Sequence, residues 1–161
     1  MTALIYVQLA VLSLIATTIA VVDFKTQTIP DLANALLAVS GVIVQIHSAS
    51  AVWIATNILG YFGIFWLVRS AHTLVTGRVG LGFGDVKMAG AAGAWLSLGL
   101  FPFFIGAAAF AALFAVAGAG LVKGRSILLQ RIPFGPFLAL SLVACWILQV
   151  SQIDLVELYG F

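Results

Sequence analysis

Long stretches of uncharged, mostly apolar residues alternate with short polar segments along this chain. No charged residue occurs within 1–22, 32–68, 88–122 or 132–153. Because a helix needs roughly 20 consecutive apolar residues to cross a bilayer, these stretches predict one, two, two and one membrane helices. The pattern therefore predicts an all-α, polytopic integral membrane protein with six transmembrane helices in a single membrane-embedded domain over 1–161.

The two longer stretches must each contain a turn between their helices. Residues 47–50, His-Ser-Ala-Ser, form the polar cluster of the first stretch, and Gly99 and Pro102 bracket a turn in the second. The proline falls in the first turn of the next helix, where its missing N–H does no harm. The predicted spans are 2–22, 32–47, 51–69, 86–99, 102–122 and 133–151.

Composition narrows the class of protein. Hydrophobic residues make up 63% of the chain and charged residues 7%, whereas soluble domains carry about 25% charged residues, so a soluble enzyme is excluded. The net charge of +2 is too small for a nucleic-acid footprint. Cys145 is a single cysteine and cannot form an internal disulfide or a Cys-based zinc site. The two histidines, His47 and His72, fall on opposite sides of the predicted membrane, so we expect no metal and no cofactor.

The charged residues also indicate how the chain is oriented. Ten of the twelve charges, including all seven Lys and Arg residues, lie in three clusters at 23–31, 69–87 and 123–131. Two predicted helices separate each cluster from the next, so all three lie on one side, which the positive-inside rule makes cytoplasmic. We expect both termini to lie outside the cytoplasm, with the protein in the cytoplasmic (inner) membrane. The first segment has no basic residue before its apolar run, which indicates a retained helix and not a cleaved signal peptide.

Three of the five acidic residues lie on that face, each at the end of a predicted helix. Asp23 ends the first helix, Asp31 opens the second and Asp85 opens the fourth. Each has an ordinary interpretation: an interfacial residue, a helix cap and an acid favoured by the helix dipole. From the residues alone, these interpretations stay open beside a functional pair formed by Asp23 and Asp85. We expect Asp154 and Glu157 to be solvated tail residues.

The surroundings of Asp85 favour the functional pair. Glycines at alternate positions of 80–84 precede it, and a helix of small side chains at 88–94 follows it. Small residues let membrane helices pack closely, and if the neighbour is the first helix, Asp23 and Asp85 face each other. Two adjacent carboxylates cannot both ionise easily, so the pair would supply a base that activates water and an acid that protonates a peptide carbonyl. The sequence offers no credible Ser/His/Asp grouping as a competitor.

Three segments in chain order carry a further pattern. Residues 23–31 (DFKTQTIPD) match Asp-x(5)-[Ile/Leu]-Pro-[Asn/Asp], and residues 82–88 (GFGDVKM) match Gly-x-Gly-Asp-x-Lys-[Leu/Met]. Residues 132–139 (IPFGPFLA) match a proline-rich start of the last helix. In these segments the chain resembles the type IV prepilin peptidases, a family of membrane aspartic proteases, and the resemblance covers nearly its whole length.

The resemblance implies that Asp23 and Asp85 are the catalytic aspartates and that Asp31 is a capping or structural residue. Lys87 falls on the motif lysine, which would hold the charge of the acid or neutralise the substrate near the site. The residues expected to support the motifs are Pro30, Gly82, Gly84 and Lys87.

The resemblance also implies an activity, the removal of the cytoplasmic leader peptide from Flp-like prepilins or prepilin-like proteins with a cut after a glycine. Such substrates and the lipid bilayer are the implied partners, and nucleic acid is not one. Longer members carry an insert near the N-terminus with Cys-x-x-Cys motifs and an N-methyltransferase activity. Because this chain begins at the first catalytic helix and holds one cysteine, it is similar to the short tight-adherence (Flp-type) and archaeal preflagellin peptidases, and we expect no methyl transfer.

Two other classes of protein stay open at this point. Intramembrane proteases of the presenilin or signal-peptide-peptidase kind share the Gly-x-Gly-Asp element, but they have more spans and a Tyr-Asp pair where Val22 precedes Asp23 here. A non-enzymatic scaffold or carrier would use Asp23 and Asp85 for proton transfer or packing, and it would shorten no substrate.

Overall fold

The part of the protein that the structure describes, residues 2–123 and 133–159, is a bundle of six α-helices in the computed structural model. The helices are α1 (Thr2–Thr26), α2 (Asp31–Gln45), α3 (Ala51–Thr76), α4 (Phe83–Ala92), α5 (Phe101–Lys123) and α6 (Gly135–Tyr159), with a 3₁₀-helix at Leu98–Leu100 before α5. Side chains are described for residues 3–121 and 133–151. Arg125 and Arg131 of the third charge cluster and Ile132 of the third motif lie outside the described residues.

Residues at the helix ends explain where several of these helices begin and end. Gln27 ends α1 with φ 54°, and Gly77 ends α3 with φ 66°, so both adopt the left-handed conformation common after a helix. The hydroxyl of Ser50 accepts a backbone N–H from the first turn of α3 at 3.2 Å, which caps that helix. The predicted turn at 47–50 is confirmed, and so is the place of Pro102 in the first turn of α5.

The predicted extent of the fourth helix, 86–99, is wrong. The observed α4, Phe83–Ala92, begins earlier and has ten residues, which at 1.5 Å per residue is about 15 Å long. A bilayer core is roughly 30 Å thick, so α4 by itself covers half of it. At Gly93 the backbone N–H is shared between the carbonyls of Ala89 and Gly90, at 3.1 Å each. The N–H of Ala94 then bonds only three residues back, to Ala91, so the α-helix passes into a tighter turn here.

Three of the described helical segments are long and apolar enough to cross a membrane: Ala3–Thr26, Ala51–Thr76 and Leu98–Leu121. Asp31–Gln45 and Gly135–Ser151 are shorter apolar segments within the described residues. Many large apolar side chains lie exposed on the outside of the bundle, which a water-facing protein of this size does not tolerate. Examples are Leu14, Leu59, Phe110, Leu113 and Leu140. The protein is therefore a membrane protein.

The small-residue helix α4 lies inside the bundle and packs against α3, α2 and α6. The sequence left open which helix packs against α4; α1 is not a main neighbour, because it packs chiefly on α6 and α2. The closest approaches are to α3: a Cβ at Gly93 would lie 2.5 Å from the carbonyl oxygen of Asn57, and one at Gly90 would lie 3.1 Å from the Cβ of Phe62. Only glycine allows the two backbones to come this near.

The backbone beyond α4 is irregular; it is buried as far as Leu96 and half-buried at Ser97, and polar side chains bind its free groups. The carbonyl of Trp95 accepts a hydrogen bond from the Gln149 amide at 3.1 Å. The N–H groups of Ser97 and Leu98 donate to side-chain oxygens of Gln149 and Asn57, at 2.9 Å each. Irregular backbone at membrane depth is stable where protein groups replace the missing water, so the chain can break its helix here without exposing polar groups to lipid.

Charged residues lie together at the other end of the bundle, where α2 and α4 begin and α3 ends. Lys87 at the start of α4 lies 2.6 Å from Asp31 at the start of α2, and Arg69 of α3 donates a hydrogen bond to the carbonyl of Leu81 in the loop before α4. The clusters at 23–31 and 69–87 therefore share one end of the bundle, as the sequence predicts.

We expect Gly93→Ala to destabilise the protein, because its Cβ would meet the backbone of Asn57, which cannot rotate away. Overpacking of this kind costs about 1–3 kcal/mol, measurable as a lower thermal unfolding midpoint in detergent. Gly63→Ala on α3 is the matched control, since a Cβ there meets nothing within 4 Å, and it should leave the midpoint unchanged or raise it. Equal midpoints for the two variants would contradict the close packing of α4.

Candidate active site

Asp23 lies in the last turn of α1 with its side chain buried, only 4% exposed. Its Oδ2 accepts a hydrogen bond from the backbone N–H of Gly135 at 2.9 Å. Gly135 is the first residue of α6, and the N–H groups of a first helical turn have no partner within the helix. The start of α6 therefore presents an unpaired donor, and a positive helix end, to the Asp23 carboxylate.

Asp85 lies in the first turn of α4 and reaches the same region as Asp23. A backbone hydrogen bond from Gly82 reaches its carboxylate, so the loop before α4 helps to hold the acid in place.

Both aspartates line one open cavity of about 540 Å³ at the charged end of the bundle. Its other walls are the loop at 79–82, Gln27 at the end of α1, and residues 133–134 before α6. The structure thus brings together two residues that lie 62 positions apart in the sequence, in a cavity large enough for a peptide segment. A pair of carboxyl groups in one cleft, with Asp23 buried and Asp85 half-buried, is a candidate acid–base site.

The loop before α4 is held by the C-terminal end of α3. Arg69 donates a hydrogen bond to the carbonyl of Leu81, and its guanidinium lies 5.7 Å from the centre of the Phe83 ring. One turn further along α3, the ring of His72 lies 3.1 Å from the carbonyl of Arg78. These contacts fix the path of the chain into α4 and so fix the position of its first turn.

Lys87 pairs with Asp31 and not with Asp85, as its 2.6 Å distance to the Asp31 carboxylate shows. The interpretation of Asp31 as a helix cap is wrong, because Pro30 takes the cap position of α2 and no side-chain cap bond forms there. The structural alternative is correct: the exposed Asp31 carboxylate, through Lys87, ties the start of α2 to the start of α4.

The motif residues Pro30, Gly82 and Gly84 shape the backbone around the aspartates. Pro30 is the residue directly before α2, and its backbone is extended, with φ −64° and ψ 134°. This extended residue separates α2 from α1. A Cβ at Gly82 would lie 2.9 Å from Oδ2 of Asp85, and a Cβ at Gly84 would lie 3.2 Å from the Cβ of Ile29. Larger residues at these glycines would push the acid or the α1–α2 turn away.

The sequence did not predict the parts played by Gly135 and Gln27. Gly135 acts through its backbone N–H, which every residue except proline carries, so no side-chain pattern predicts its role. Its position between two prolines of the third motif was the one sequence feature that could have drawn attention to it. Gln27 lines the cavity in a left-handed conformation, and its N–H donates to the carbonyl of Asp23 at 2.8 Å. Backbone strain of this kind tends to occur at functional sites.

The other candidate groups take no part in this cavity. Cys145 is buried in α6, as predicted for a small hydrophobic residue. Among the side chains that the structure describes, no three His, Cys, Asp or Glu residues cluster as metal ligands would.

A sequence model of the type IV leader peptidase family matches residues 10–117, which is more than half of the chain and includes Asp23 and Asp85. The chain belongs to this family. The match confirms the resemblance that the motifs at 23–31 and 82–88 indicated. The segment at 132–139 lies beyond the matched residues. No solved structure gives a significant match.

Several curated members of the family are similar to the chain. It is 32% identical over 131 residues to a prepilin leader peptidase/N-methyltransferase of Escherichia coli (strain K12), covering 77% of this chain and 55% of that protein. It is 40% identical over 91 residues to a leader peptidase HopD of Escherichia coli, covering 56% and 57%. A prepilin leader peptidase/N-methyltransferase of Dichelobacter nodosus is 27% identical over 146 residues, covering 87% and 47%. The chain spans about half the length of these relatives.

Proposed function

We propose that the protein is a membrane aspartic endopeptidase that removes the leader peptide from Flp-like prepilins or prepilin-like proteins, with a cut after a glycine. The observation that carries the proposal is the meeting of Asp23 and Asp85 in one cavity, within the segment that the family model matches. The names of the similar proteins, prepilin leader peptidases and a leader peptidase, support the substrate class. We assign the peptidase step alone and no methyl transfer.

In the proposed mechanism the two aspartates divide the work of base and acid. The ionised one takes a proton from a water molecule as the water oxygen bonds to the scissile carbonyl carbon, and the protonated one donates its proton to the carbonyl oxygen. In the collapse of the resulting gem-diol, the aspartate that took the water proton gives it to the amide nitrogen. The other aspartate takes a hydroxyl proton back as the carbonyl reforms and the C–N bond breaks, which restores the starting pair. The Gly135 N–H stabilises negative charge on Asp23, which favours Asp23 as the base and leaves Asp85 as the proton donor.

We further propose that all six helical segments cross the cytoplasmic (inner) membrane, with both termini outside the cytoplasm and the aspartates at the cytoplasmic face. The seven basic residues in three clusters support this orientation. The short α4 and the turns after it would make up one crossing, since they are enclosed by protein. A leader peptide, which stays in the cytoplasm, would then meet the cavity directly.

We expect Asp23→Asn and Asp85→Asn each to abolish processing, since acid–base groups contribute about 10²–10⁴-fold to rate. The measurement is co-expression with a prepilin-like substrate, followed by gel separation of full-length and shortened forms. Asp31→Asn is the comparison variant: it makes the same chemical change at an exposed carboxylate and should still process the substrate, with at most the roughly fivefold loss expected of an exposed ion pair.

If both single Asn variants shorten the substrate like the wild type, the aspartic mechanism is wrong. If the wild type itself shortens no prepilin-like substrate while the Asn variants impair transport or assembly, the scaffold or carrier takes its place.

We expect Gly135→Ala to slow cleavage without unfolding the protein, because its Cβ would lie 2.7 Å from Oδ2 of Asp23 and push the carboxylate aside. Displacing a catalytic group by about 1 Å can cost up to about a hundredfold in rate, so kcat should fall with KM little changed. Gly106→Ala on α5 is the control, since a Cβ there meets nothing within 4 Å. A kcat equal to that of the control would show that Gly135 does not position Asp23.

A further inference from the structure

Two adjoining cavities share the aspartates as lining residues. We call the first, of about 540 Å³, the apolar lobe; its distinctive walls are Val79, Leu81, Pro133 and Phe134. We call the second, of about 280 Å³, the charged lobe; its distinctive walls are Thr28, Asp31, Phe83 and Lys87. Both lobes include Asp23, Gln27, Gly82 and Asp85. A peptide that passes from one lobe to the other therefore crosses the aspartates.

The apolar lobe has no charged group among its described lining residues other than the two aspartates. Leu81 and Phe134 pack against the hydrophobic core, whereas Val79 is 60% exposed at the rim. One turn further along α6, a groove of about 280 Å³ runs between α1 and α6 on the outside of the bundle, lined by small residues such as Ala20 and Ala139. The groove begins at Pro136, three residues after Pro133 of the apolar lobe, so the two lie next to each other along the start of α6.

The charged lobe opens at the ion pair of Asp31 and Lys87. The Asp31 side chain is 77% exposed, and its Oδ1 takes the bond from Lys87 at 2.6 Å. Its Oδ2 has no hydrogen-bond partner among the described residues, so it can accept one from an incoming basic group. Thr28 adds a hydroxyl to this side of the site.

We propose that the substrate crosses the aspartates in one direction, with its basic leader in the charged lobe and its first mature residue in the apolar lobe. This inference rests on the proposed function and on the substrate that the family resemblance implies, a basic leader followed by an apolar helix. The chemistry of the walls sets the direction: a Lys or Arg gains the Asp31 carboxylate, and an apolar side chain is removed from water beside Val79 and Phe134. The substrate helix then continues into the bilayer along the groove between α1 and α6.

Binding in the opposite direction would cost free energy on both sides of the cut. The basic side chains of the leader would lie in the apolar lobe, where only the catalytic aspartates could pair with them, and charges left without partners are expensive to desolvate. The first mature residue, which is apolar, would lie beside the exposed ion pair of Asp31 and Lys87. The two lobes therefore discriminate between substrate ends by repulsion as well as attraction.

The test introduces the same charge into each lobe in turn. Asp31→Lys and Val79→Lys both alter exposed side chains, and each is assayed in detergent against three prepilin-like substrates. These are the parent, a variant with an acidic residue in place of a basic one in the leader next to the cut, and a variant with an acidic first mature residue. The readout is the ratio of kcat/KM between substrates, which cancels changes in the amount of active enzyme.

We expect Asp31→Lys to lower the preference for the basic leader by about threefold to fivefold, the size of an exposed ion pair, and to leave the preference at the first mature residue unchanged. Val79→Lys should lower the preference for an apolar first mature residue and leave the leader preference unchanged. Asp31→Asn removes the ion pair with Lys87 without reversing the charge, so it shows how much of the effect of Asp31→Lys comes from losing that pair. Val79→Thr is the uncharged control for Val79→Lys.

The result that would overturn the inference is a crossed pattern, in which Asp31→Lys changes the preference at the first mature residue and Val79→Lys changes the leader preference. Unchanged ratios in both Lys variants would equally overturn it, because the substrate then uses neither lobe. Failure of the proposed function looks different: the wild type cleaves none of the three substrates, or Asp23→Asn and Asp85→Asn cleave them all.

Discussion

The enclosure of α4 by three neighbouring helices is the constraint on which the rest of the structure depends. Its buried face of glycine and alanine brings the backbone at Gly93 against that of Asn57, and at Gly90 against Phe62. Contacts this close prevent α4 from sliding along its axis and from rotating about it, because a densely packed interior has no free space for such shifts. Asp85, in the first turn of α4, therefore has its depth and direction set by packing far from the site.

The two ends of α4 are stabilised by different chemistry. At the charged end, the Lys87–Asp31 ion pair and the hydrogen bond from Arg69 tie the helix and its preceding loop to α2 and α3. At the other end, the amide side chains of Asn57 and Gln149 bind the backbone that the helix leaves unpaired. A helix too short to cross the bilayer alone is stable here because both of its ends find protein partners.

The aspartates reach the site from different helices and in different surroundings. Asp23 accepts the N–H that opens α6, and Asp85 lies in the first turn of the enclosed helix α4. This asymmetry suits a pair in which one carboxylate is ionised while the other holds a proton. The same walls form the two lobes, so the groups that position the aspartates also give the two sides of the site different chemistry.

The sequence by itself determined the number of helices, the shared end of the first two charge clusters, the turn at 47–50 and the family. Hydrophobicity, charge spacing and short motifs are local properties, and they can be read without knowing which segments touch. Only the tertiary structure decided where α4 ends, that it packs on α3 instead of α1, and that Asp31 binds Lys87. It alone showed that Gly135 donates to Asp23, 112 positions away, because a backbone N–H leaves no mark in a sequence and its partner is chosen by how distant helices pack.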